Sequence, residues 1–80
     1  MSNREAQQME SLLGSVLACQ EYISQTRFRF LRYLREYHRE RGYLQANRQN
    51  LEDILYYARK LTAFRKELTS LQQRVNTTTV

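Results

Sequence analysis

The sequence contains no proline and no tryptophan, only two glycines (Gly14 and Gly42), one cysteine (Cys19) and one histidine (His38). Each scarcity excludes something. An all-β domain needs turn residues every ~8–12 positions, and two glycines cannot supply them. A single cysteine forbids an intrachain disulfide. One cysteine and one histidine cannot furnish a four-ligand Cys/His metal site. No run approaches the ~20 apolar residues of a membrane span, and the first residues lack the basic-then-apolar pattern of a signal peptide. A soluble protein of the cytoplasm, or otherwise intracellular, is the expectation.

Chemistry is equally sparse. Cys19 and His38 fall on one predicted helix, separated along its axis by roughly 28 Å at ~1.5 Å per residue, too far apart for a dyad. No glycine-rich phosphate loop is present, and a two-helix chain offers little concavity for a substrate. No catalytic residues, no cofactor and no metal are therefore assigned, and enzymatic activity is not expected.

What is there suits long helices. Eighty residues make a single domain, 1–80, with a thin core. Without disulfide or metal, such a chain needs a partner or a second copy to be stable. Ser2 followed three residues later by Glu5 is a capping box that starts helix 1. Apolar residues then recur by sevens at Met9, Val16, Ile23, Phe30 and Tyr37, with Leu12, Leu13, Cys19 and Leu34 flanking the line. Gly14 interrupts neither the phase nor the helix, but invites a kink or a close neighbour. Gly42 is the expected stop, with Arg39 and Arg41 in the last turn against the negative end of the helix dipole. A second ladder, Ile54, Leu61, Leu68 and Val75, has a companion in Tyr57, Phe64 and Leu71. The boundaries that follow are helix 1 at 3–41, a connection at 42–47, helix 2 at 48–75 capped by Asn47 or Asn50, and a frayed tail at 76–80.

A sustained seven-residue repeat is the signature of helices winding around one another. A short connection makes the two helices antiparallel neighbours. The fold expected is all-α: an antiparallel helical hairpin that completes a four-helix bundle by dimerisation or with a partner. The seam is Met9, Val16, Ile23, Phe30, Tyr37, Ile54, Leu61, Leu68 and Val75. Leu13, Leu17, Phe28 and Leu31 lie off that seam and need cover of their own.

Net charge is +5, from eleven arginines and two lysines against seven glutamates and one aspartate. Residues 27–42 alone hold six arginines and four aromatics. At 100° per residue, Arg32, Arg35 and Arg39 form one stripe roughly opposite the apolar line, with Phe28 in it and Glu36 and Glu40 beside it. Arg27 and Arg41 fall on the apolar side, where a charge needs a partner; Glu67 would serve Arg27, and Glu52 or Asp53 would serve Arg41. Arginine and tyrosine are also the residues that dominate protein interfaces. The expectation is a non-enzymatic protein–protein interaction module, an adaptor, co-chaperone or regulatory subunit, acting on itself as a homodimer or on a helical partner. Leu17, Phe28, Arg32, Arg35, Arg39 and Tyr56 are its candidate contacts. The alternative is a basic helical nucleic-acid binder using Arg29, Arg32, Arg35, Arg39 and Arg48. The ending Thr78-Thr79-Val80 also fits the short carboxyl-terminal pattern read by PDZ domains.

Overall fold

In the computed structural model, which describes residues 2–40 and 42–78, helix α1 spans Asn3–Glu36 and helix α2 spans Tyr43–Thr78. The two pack side by side, antiparallel, into a rod with Cα extents of 61 × 14 × 14 Å. The capping box at Ser2 forms in full. The Glu5 N–H donates to the Ser2 hydroxyl (3.2 Å), and the Ser2 N–H donates to the Glu5 carboxylate (3.2 Å).

The connection lies earlier than the glycine suggests. α1 ends at Glu36, with Tyr37 as its C-cap, and the chain reaches Gly42 through a turn in which the Glu40 N–H donates to the Tyr37 carbonyl (2.9 Å). Gly42 has φ +85° and its carbonyl accepts the first hydrogen bond of α2, from Ala46 (3.0 Å). It thus launches the second helix instead of closing the first. Helix 1 is therefore shorter than 3–41, the connection is not 42–47, and helix 2 begins before residue 48 and continues past 75. Arg41 lies outside the described residues, as do Thr79 and Val80 of the PDZ-like ending.

The register explains the shift. The buried Asn47 side chain donates to the Phe30 carbonyl (3.2 Å), and Tyr22 packs on Tyr57 with ring centroids 4.0 Å apart. Had α1 run to residue 41, Asn47 would face the chain several residues beyond Phe30. Asn47 and Asn50 are accordingly not caps. Both are buried within α2, joined by a bond from the Asn50 amide to the Asn47 carbonyl oxygen (3.3 Å).

Each helix presents a full heptad seam with two core positions per seven residues. On α1 these are Met9, Leu12, Val16, Cys19, Ile23, Thr26, Phe30 and Tyr33. On α2 they are Asn47, Asn50, Ile54, Tyr57, Leu61, Phe64, Leu68, Leu71 and Val75. All are buried or half-buried. The driest section lies far from the turn, where Leu12, Leu71 and Val75 cluster with Met9, Phe64 and Leu68 against them. Nearer the turn the seam becomes polar at Thr26, Asn47 and Asn50. Of the residues assigned to the seam from sequence, Tyr37 departs: it caps α1, is exposed, and stacks edge-on against Tyr33 with centroids 5.5 Å apart.

Candidate interaction surface

Reversing one helix of a pair reverses the sense in which its 100° steps turn. The same offset from the seam therefore lands on the same side of an antiparallel hairpin. One edge is built from the residues just after one core line: Leu13, Gln20, Arg27 and Leu34 on α1; Leu51, Ala58, Arg65 and Gln72 on α2. The other comes from the residues just before the second core line: Gln8, Ser15, Tyr22 and Arg29; Asp53, Lys60, Glu67 and Arg74. Grooves in the structure mark both edges. One is lined by Met9, Leu13, Leu68, Gln72 and Val75, the other by Gln8, Leu71, Arg74 and Thr77.

The two edges differ in chemistry. On the first, Leu13 (48% exposed), Leu34 (43%) and Leu51 (44%) are joined by the next positions outward, Leu17 (63%) and Leu55 (49%). Every exposed leucine among the described residues lies on this edge. Leu31 sits among them, half-buried. Small or polar residues, Gln20, Ser24, Ala58 and Thr62, fill the middle. The second edge carries charge and tyrosine. Tyr57 stacks on Tyr22 and meets Tyr56 edge-on (5.1 Å), and the Lys60 ammonium lies 4.9 Å from the Tyr56 ring centre. Tyr56 is thus turned away from the leucines.

The back of α1 holds the arginines. Phe28 is the most exposed large apolar residue (71%) and lines a shallow groove of about 260 Å³ with Arg32, Arg35 and Glu36. Arg32 is paired with Glu36 (3.3 Å) and Arg48, on the other helix, with Glu52 (3.2 Å). Both are exposed pairs one helical turn apart, worth a few tenths of a kcal/mol, roughly 0.3–0.5. Arg39 leaves the stripe, because α1 has ended before it. Arg29 and Arg35 are exposed on α1.

Arg27 is not buried. It stands exposed on the leucine edge, and among the described residues no ion pair joins it to Glu67. The heptad seam explains this: Arg27 sits one step past Thr26, and Thr26 is the residue that enters the core. No group of three or more His, Cys, Asp or Glu side chains suited to a metal occurs among the described residues. No helix among them is long and apolar enough to cross a membrane.

Sequence reasoning found Leu13, Leu17, Phe28 and Leu31 as residues needing cover. It did not join Leu34, Leu51 and Leu55 to them. The signal that would join them is the antiparallel offset rule, which needs both core lines of α1, and only one of the two is apolar throughout. No protein-family model, curated protein or solved structure matches the chain.

Proposed function

We propose that this chain is a protein–protein interaction module that works through its leucine edge, as an adaptor, co-chaperone or regulatory subunit without catalytic activity. One observation supports it above others: among the described residues, the five exposed leucines share one side of the rod. Scattered exposed leucines are ordinary on a protein surface, whereas exposed leucines gathered on a single edge, with polar residues among and around them, suit a contact. The core is also thin. Leu12, Val16, Cys19, Leu71 and Val75 are its buried apolar side chains, and covering the strip would roughly double that complement. Leu17, Leu31, Leu51 and Leu55 become the principal contacts. Phe28, Arg32 and Arg35 form a separate outer patch suited to the rim of a larger partner.

The test is site-specific photo-crosslinking in cells of origin, with the photoreactive residue placed at Leu17, at Leu55 or at Arg35. Protein adducts from Leu17 and Leu55 are the expected outcome. Nucleic-acid adducts from Arg35, with none from the leucine positions, would replace this reading with the nucleic-acid one.

A further inference from the structure

The leucine edge has an internal symmetry. Ser24 lies midway between Leu17 and Leu31 and within one residue of the midpoint of Leu13 and Leu34. By the register that the Tyr22–Tyr57 contact sets, Leu55 is level with Ser24 on α2, and Ala58 lies about one helical turn further from the connection. Along α1, small or polar side chains thus occupy the centre of the edge and leucines its two ends: Leu13 and Leu17 away from the turn, Leu31 and Leu34 towards it. From this arrangement we infer that the edge binds a second copy of the chain, reversed end for end about a two-fold axis at the height of Ser24. This rests on the leucine edge being an interaction surface, and it names the partner.

Three observations carry it. An isologous interface must be self-complementary, and rotation about that axis lays α1 on α1 reversed, with Leu13 and Leu17 of each copy on Leu34 and Leu31 of the other. Ser24 at the axis lets the two α1 helices approach closely there. The same rotation sets Gln20 of one copy opposite Arg27 of the other, so the side-chain carbonyl can accept from the guanidinium. The opposite arrangement, with both copies pointing the same way about an axis along the rod, lays α1 on the second copy's α2 and, by the same register, sets Leu13 near Arg65 and Leu51 near Arg27, so that leucine meets charge. The area is adequate. From Leu13 to Leu34 α1 rises about 32 Å, and two helices lie about 20 Å across. That gives a face of roughly 600 Å², close to the ~800 Å² per partner of stable interfaces. The arginine-rich back of α1 stays outside the contact.

Two measurements on the full chain decide it. The molar mass at physiological salt, followed by sedimentation from micromolar to millimolar concentration alongside helicity, is expected to be twice that of one chain. Cysteine crosslinking then fixes the symmetry, in a Cys19→Ala background and again with the buried Cys19 retained. Ser24→Cys should form a covalent dimer under mild oxidation. Leu34→Cys should not do so alone, but should pair with Leu13→Cys when the two variants are mixed. Self-crosslinking at Leu34→Cys without any at Ser24→Cys would overturn the reversed arrangement. A helical monomer across the whole range would overturn the second copy as partner. It would leave the interaction reading standing, to be decided by the photo-crosslinking in cells.

Discussion

Gly14 and Gly42 show how much one residue's setting matters. Gly14 is inside α1, and a methyl group built there meets nothing within 4 Å. It neither admits a neighbour nor marks a boundary, so Gly14→Ala is expected to stabilise the chain by about 1 kcal/mol through helix propensity alone. Gly42 is equally open but has φ +85°, and an L side chain there costs about 1–2 kcal/mol. Gly42→Ala should therefore lower the midpoint of thermal unfolding while Gly14→Ala raises it, a contrast one pair of melting curves would check. Thr26 is the third instructive residue. It is fully buried, and its hydroxyl has no hydrogen-bond partner. A buried polar group left unpaired costs about 1–3 kcal/mol, so Thr26→Val, which keeps the shape and removes the hydroxyl, is expected to stabilise. Loss of stability in a denaturant titration would mean that the hydroxyl is satisfied in solution.

Between the helices, the polar section of the seam sets the pairing. Asn47→Ala removes the bond to the Phe30 carbonyl and strands Asn50. The expected loss is about 1–2 kcal/mol, with a second consequence: a seam without its buried asparagine should tolerate register slips, as polar core residues are known to specify register. Paramagnetic or fluorescent distances between α1 and α2 would broaden in the variant and stay single in the parent. At the start of α1, the Ser2 backbone N–H, and then its hydroxyl, hold the Glu5 carboxyl below its ordinary pKa. A depressed carboxylate contributes stability that is present above its unfolded pKa and lost as pH falls through its folded one. The first turn should therefore fray on acidification below the ordinary glutamate range, and Glu5→Gln should remove that pH dependence; residue-resolved amide exchange measures both.

These elements were only partly legible. The line Met9–Val16–Ile23–Phe30 is apolar throughout and declared one half of the α1 seam, and the hairpin followed from it together with the α2 ladder. The other half, Leu12, Cys19, Thr26 and Tyr33, mixes four chemistries and conceals its period. Asn47 and Asn50 resemble caps because asparagine is a good one; only the packing of Asn47 on Phe30 reveals them as core. The turn was misplaced for the same reason, since the buried asparagines draw the start of α2 back to Gly42. Arg27 reads as lying on the apolar side because its neighbour Thr26, the residue that enters the seam, carries no apolar signal.

At the scale of the molecule, the rod has two unlike edges and a basic back. The edge with Tyr22, Tyr56, Tyr57 and Lys60 holds ring contacts of its own, with Tyr56 still half exposed. The other leaves Leu13, Leu17, Leu34, Leu51 and Leu55 facing outward, and the central claim is that this edge is covered when the protein is at work. Cysteine accessibility in intact cells tests that claim without presuming a partner. Single cysteines would be placed at Leu17 and Leu55 on the edge and at Lys66 on the far face of α2, and alkylated before and after denaturation. Protection at Leu17→Cys and Leu55→Cys, with full labelling at Lys66→Cys, is the expected result. Equal labelling of all three before denaturation would contradict it, and the leucine edge would then be bare surface.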